Sequence, residues 1–163
     1  QFKKNLANSK MGKLEELHRI TLPMTGANFI LCGGSVLDFE GDAFVNAANE
    51  GCVSGFGVDE IVNRSGGARL KDSRKRLGGC ETGSAKFTPA FDHSNTKIII
   101  HAVGPVYRIN QIRDKIVEGS EQAKARFREL DNLLVKVYQN SMNLAREQNV
   151  KTLAFCCISS GVF

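Results

Sequence analysis

Two asparagines, three glycines and one aspartate, spaced within the stretch GDAFVNAANEGCVSGFGVD (residues 41–59), carry the chemistry this chain has to offer. Asn46 and Asn49 come first, Gly51, Gly55 and Gly57 follow, and Asp59 closes the series. Glycines let backbone N–H groups come close to an anion, and a helix that starts just after them adds the favourable end of its dipole. Strand, glycine loop and helix N-terminus is an arrangement that binds phosphate. A side-chain amide both donates and accepts, which suits sugar hydroxyls. Asn49 also has a simpler reading, as a residue that shapes the turn. Asp59 has two readings as well. It either favours the helix start or handles a water or hydroxyl beside a bound phosphate.

These residues need a frame to hold them. Ala43–Ala48 is an apolar run without alternation, which predicts a strand covered on both faces. Asn46 and Asn49 then lie at its C-terminal end, where open α/β sheets take their ligands. Val58–Arg64 predicts a helix, stopped by Gly66-Gly67. The glycines do not fit two common motifs. Glu60 stands where a dinucleotide fingerprint needs its third glycine, and no GK[ST] follows. Asn28–Cys32, Ser84–Thr88, Lys97–Val103 and Lys151–Ile158 read as further strands, Ser84–Thr88 at a sheet edge because Pro89 follows. Leu130, Leu133, Leu134, Val137, Tyr138, Ser141, Leu144 and Ala145 recur at three- and four-residue steps, so a helix runs to about Glu147, with the charges from Glu121 to Glu129 extending it. Leu14, Leu17 and Leu22 among charged residues suggest a short amphipathic helix, broken by Pro23 and Gly26. Ser159-Ser160-Gly161 forms a second loop of small residues after the last strand. The alternation predicts an α/β fold with a mixed, largely parallel sheet. Residues 1–27 read as an N-terminal extension and 28–163 as one domain.

Composition narrows the class. The chain has 163 residues, 42% hydrophobic and 24% charged, which suits one globular domain. No apolar run is long enough to span a membrane, and no signal peptide opens the chain. It begins at Gln1 rather than Met, so an upstream segment, including a mitochondrial targeting peptide, stays compatible with the sequence. Five cysteines, with no C-x₂-C pair, speak against zinc and against a disulfide framework, and favour a cytoplasmic or nuclear protein. The net charge of +5 suits an anionic ligand and is modest for nucleic acid. Arg69, Lys71, Arg74, Lys75 and Arg76 form the strongest basic cluster and read as a solvated helix face. His101 lies inside a strand and reads as a hydrogen-bonded structural histidine. His18 reads as a surface residue.

The stretch GDAFVNAANEGCVSGFGVDEIVNRSGG resembles the signature of the macrodomain family, the ADP-ribose-binding modules, and is especially similar to the branch that removes ADP-ribose from proteins. Thr82–Lys86, His101–Tyr107 and Ile158–Phe163 match in the same order. The resemblance covers roughly residues 29–163 and implies a three-layer α/β/α fold. In it, Gly55, Phe56, Gly57 and Val58 of loop one and Ser159, Ser160, Gly161 and Val162 of loop two grip a diphosphate through backbone N–H groups. Ala47 lines the site. Asn49 hydrogen-bonds the distal ribose, Phe163 packs on its face, and Asp59 lies near its anomeric carbon. Asn49 and Asp59 are the implied catalytic residues. Ser35 stands where relatives usually have an aspartate that receives the adenine amine, and the backbone of Val36 contacts the ring. Phe56 replaces a further glycine, and Asn63 replaces the histidine of many hydrolase-type relatives. Related macrodomains continue with a helix, a strand and a last helix. The chain as given therefore reads as incomplete at its C-terminus, with an exposed sheet edge and marginal stability.

The resemblance implies hydrolysis of mono-ADP-ribose from acidic side chains of proteins, or deacetylation of O-acetyl-ADP-ribose. A module that reads ADP-ribose without turnover is the alternative, and a nucleic-acid or poly-ADP-ribose surface on Arg69–Arg76 is a weaker third. ADP-ribose or an ADP-ribosylated protein is the expected partner. No cofactor, metal or membrane is expected, and nucleic acid is disfavoured.

Overall fold

A computed structural model describes residues 13–108 and 117–161. Six strands and three helices follow in order: β1 (Glu15–Thr21), β2 (Asn28–Gly33), β3 (Ala43–Ala48), α1 (Val58–Ser65), α2 (Gly67–Arg76), β4 (Ala85–Pro89), β5 (Ile98–Val103), α3 (Glu121–Glu147) and β6 (Leu153–Phe155). A single 3₁₀ turn, Val36–Asp38, links β2 to β3.

The main sheet has the order β4-β5-β3-β6. β3 runs parallel to both β5 and β6, and β4 is antiparallel to β5. Alternation along the central strands divides the core into two halves. Val45 of β3 and Ile100 and Ala102 of β5 face α3, where Val137 and Ala145 meet them. Phe44 and Ile99 point the other way, onto Val62 of α1 and Leu70 of α2. The sheet thus lies between α3 on one side and the α1–α2 pair on the other, a three-layer α/β/α sandwich. Both central strands are apolar except for Asn46 and His101, because both of their faces are covered.

The first segment corrects an expectation. Residues 15–21 form a strand, not the amphipathic helix that Leu14, Leu17 and Leu22 suggest. β1 pairs antiparallel with β2 in a separate two-stranded sheet, with a register shift between Glu16 and His18. Both strands keep large apolar side chains exposed, among them Leu17, Ile20, Phe29 and Leu31. α3 fits its expectation over its whole length of 27 residues. Its N-terminus is capped by Ser120, whose hydroxyl accepts from the Ala123 N–H. β6 is shorter than the apolar run Lys151–Ile158. It pairs only with β3, over three residues. No helix of the described residues is long and apolar enough to cross a membrane.

Candidate functional site

β3 and β6 are parallel neighbours, so the loops that leave their C-terminal ends open at the same end of the sheet. These are the two glycine- and serine-rich loops. Loop one (residues 49–57) is braced from within. The Asn49 amide donates to the Ser54 carbonyl at 2.6 Å, and its Oδ1 accepts from the Cys52 N–H at 3.2 Å. Cys52 takes a left-handed conformation, φ 53°. Asn49 therefore shapes the turn in this structure. Gly57 precedes α1 with φ 65°, a backbone that favours glycine. Val58 opens the helix, and Phe56 stands out beside it, 84% exposed.

Asp59 sits in the first turn of α1 and is only 2% exposed. Four side chains below the loop fix it. Asn46 of β3 and His101 of β5 are register partners and face the same side of the sheet. The Asn46 amide donates to Asp59 Oδ1 at 2.5 Å and lies 3.2 Å from His101 Nδ1. His101 Nε2 lies 3.0 Å from the Thr88 hydroxyl. An amide donor at Nδ1 puts the imidazole proton on Nε2, aimed at Thr88. Burial, with the nearby Arg74 charge, pushes the His101 pKa down to about 3, so the ring is neutral. His101 is thus a hydrogen-bonded core residue. Arg74 of α2 pairs with Asp59 Oδ1 at 2.7 Å. The second carboxylate oxygen, Oδ2, is buried and has no hydrogen-bond partner. It lies under loop one, where a Cβ on Gly55 would meet it at 2.7 Å.

Arg74 corrects the reading of the basic cluster as a solvated face. Arg69, Lys71, Lys75 and Arg76 are not buried, but Arg74 has no exposed surface. Among the others, Arg69 pairs with Asp92 and Lys75 with Asp72. The signal for Arg74 was present in the sequence, since Leu70 and Arg74 are four residues apart and share the inward face of α2.

Loop two begins at Ser159, which takes a left-handed conformation, φ 56°. Its hydroxyl is buried without a partner and packs close to Gly104, where a Cβ would meet it at 2.2 Å. The Ser160 hydroxyl donates to the Cys157 carbonyl, and Gly161 is exposed. Val162 and Phe163 lie outside the described residues. Ser35 is exposed, and its hydroxyl accepts from the Leu37 N–H as the cap of the 3₁₀ turn. Val36 is half-buried against the core that holds Phe44 and Val62. Ala47, half-buried, pairs with Ala102. Asn63 accepts from Arg74 and donates to the Val53 carbonyl.

Cys52, Cys80 and Cys156 offer no thiolate here. Burial raises the Cys52 thiol, and Cys80 and Cys156 are each pushed up to about 11, chiefly by burial. No group of three or more potential metal ligands exists among the described residues. The site can therefore offer backbone N–H groups at two loops and one oriented carboxylate.

The family model for the Macro domain matches residues 45–163. A macro domain-containing protein of Ralstonia nicotianae is 41% identical over 122 residues, 75% of this chain and 61% of its own length. The ADP-ribose glycohydrolase MACROD2 of Xenopus laevis is 37% identical over 130 residues, 80% of this chain and 27% of its own. The chain thus spans about three-fifths of the first relative and about a quarter of the second. A Trypanosoma brucei macrodomain solved in complex with ADP-ribose superposes with a TM-score of 0.63 at 30% identity, covering 79% of this chain and 46% of that one. An Oceanobacillus iheyensis macrodomain solved with ADP gives 0.70 at 23% identity, covering 89% and 71%, and supports the fold alone. The match over the segment that holds loop one, the buried aspartate and loop two shows that the chain belongs to the Macro domain family.

Proposed function

We propose that this domain binds ADP-ribose across loops one and two and hydrolyses mono-ADP-ribose from acidic side chains of proteins. The reading rests on one observation above the rest. Asp59 is buried, its Oδ1 is held from two sides, and its Oδ2 is unpartnered beneath Gly55. A carboxylate held in one orientation beside a phosphate-binding loop suits a general base. The similarity to the glycohydrolase and to the macrodomain solved with ADP-ribose supports the choice of ligand.

The step is a hydrolysis. The diphosphate lies against the N–H groups of Gly55, Phe56, Gly57 and Val58 and those of Ser159, Ser160 and Gly161. This leaves the distal ribose above Asp59. Asn49 shapes the loop and adds a polar edge toward the ribose. Water attacks the anomeric carbon, forming a C–O bond, and the bond from that carbon to the protein's carboxylate oxygen breaks. Asp59 Oδ2 accepts the proton of the water, and the freed carboxylate leaves with the electron pair. An O-acetyl-ADP-ribose ester would present a scissile acyl bond to the same water.

Single-turnover release of ADP-ribose from a mono-ADP-ribosylated protein tests this. Asp59→Asn keeps the size and the loop, and should slow release by about 100-fold or more, the scale of a lost general base. Undiminished release in that variant would overturn the assignment of Asp59. A second reading, a module that binds without turnover, draws support from the Arg74 ion pair, which already engages one oxygen of the carboxylate. It predicts tight binding with no release by the unsubstituted protein.

A further inference from the structure

Arg74 is the largest fully buried side chain among the described residues, and it is charged. Taking an arginine out of water costs several kcal/mol unless its donors are met. Here two arms of the guanidinium have acceptors near loop one, and the third, Nη2, has an ion contact but no hydrogen-bond partner. Nε donates to the Cys52 carbonyl at 3.0 Å, and Nη1 donates to Asn63 Oδ1 at 2.7 Å. Nη2 lies 2.7 Å from Asp59 Oδ1. Asn63 in turn donates to the Val53 carbonyl at 2.9 Å. One cation therefore ties α2 to α1, to the Cys52–Val53 entry of loop one and to the carboxylate beneath it.

Stability alone is a poor account of this arrangement. A buried ion pair usually stabilises a fold no better than apolar residues of the same volume would. What the pair does achieve is asymmetry. Arg74 and Asn46 both engage Oδ1, so Oδ2 is the oxygen left turned toward Gly55. We infer that Arg74 is a positioning residue of the hydrolytic reaction, acting through Asp59. Its planar fork fixes the carboxylate rotamer and the loop entry at once, which the single ammonium of a lysine does less well. This inference rests on the hydrolase reading above.

Four variants test it: Arg74→Gln, Arg74→Lys, Asp59→Asn and the double variant Asp59→Asn with Arg74→Gln. Gln keeps hydrogen bonds within reach of Cys52 and Asn63 but removes the charge. Single-turnover release and the Kd for ADP-ribose are read on each. Arg74→Gln should slow release by about 10- to 100-fold, the scale of a misplaced catalytic group, while Kd changes less than about threefold. Arg74→Lys should recover part of that loss. In the Asp59→Asn background, Arg74→Gln should cause no further loss of release. Equal falls in rate and affinity, or a further loss in the double variant, would overturn the inference and leave Arg74 a structural residue. So would a wild-type rate in Arg74→Gln. If the single Arg74→Gln variant does not fold, Arg74→Lys and the double variant decide. The first should release more slowly than wild type at unchanged Kd, the second at the residual rate of Asp59→Asn, and either contrary result overturns the inference. No release by the unsubstituted protein would overturn both readings together, whereas the other contrary results leave the hydrolase reading standing.

Discussion

Gly55 lies so close to Asp59 that an added methyl group would meet Oδ2 at 2.7 Å. A flexible side chain would yield, but this carboxylate is held by Arg74 and Asn46. Gly55→Ala should therefore disturb the site and slow release of ADP-ribose by about tenfold or more, in keeping with the sensitivity of catalysis to small displacements. Release at the wild-type rate would show that the loop and the carboxylate are less tightly coupled. Asp59, the loop glycines and Asn49 were all legible from residue type and spacing. The partners of Asp59 were not. Asn46 stood out only as an amide at a strand end, and His101 as a hydrogen-bonded structural histidine whose partners were not legible, because pairing of β3 with β5 joins residues 55 apart. Arg74 was hidden by its neighbours. Five basic residues within Arg69–Arg76 look like one solvated face, yet a helix turns one in every three or four of them inward.

At the scale of elements, Asp42 fastens the start of β3 to the start of β6. Its Oδ2 accepts from the Lys151 and Thr152 N–H groups at 2.9 and 3.1 Å, and its Oδ1 accepts from Lys97 at 2.8 Å. The Lys97 hydrogen bond and these backbone donors hold the Asp42 pKa down to about 2, from an ordinary 3.8. Its contribution to stability is full above about pH 4 and is lost as pH falls toward 2. Asp42→Asn should cost about 1–2 kcal/mol in urea unfolding at pH 7, the scale of charge-assisted hydrogen bonds. The gap from wild type should narrow below pH 4. An unchanged unfolding midpoint would contradict this role. The strands and helices themselves were largely legible, since β3 and β5 are apolar but for Asn46 and His101, and α3 keeps one periodicity from Leu130 to Ala145. β1 was not. Leu14, Leu17 and Leu22 fit a helix as readily as a strand, and only pairing with β2 decides between them. β6 was overestimated, because its ladder to β3 stops at Phe155 although β3 runs on to Ala48.

Across the molecule, acid should act first through the buried polar centre. His101 is neutral in the folded domain, with its pKa depressed from 6.5 to about 3, whereas the unfolded chain protonates it below about 6.5. The unfolded state then binds the extra proton, so stability falls as pH drops from 6.5 toward 3. Urea unfolding should lose about 1–2 kcal/mol between pH 7 and pH 5, and His101→Gln should flatten that slope. An equal slope in both proteins would remove His101 from this role. The same centre supports the floor of the candidate site, so the fold and that site share one network from Thr88 through His101 and Asn46 to Asp59 and Arg74. Loops one and two are proposed to form one site for ADP-ribose. Calorimetric titration with ADP-ribose, with AMP and ribose 5-phosphate as comparators, tests it most directly. The expected result is a single site with a Kd of about 1–100 μM for the whole ligand, worth about 5–8 kcal/mol, and at least tenfold weaker binding of either half. Binding of AMP or ribose 5-phosphate as tight as that of ADP-ribose, or no heat with any of the three, would contradict it.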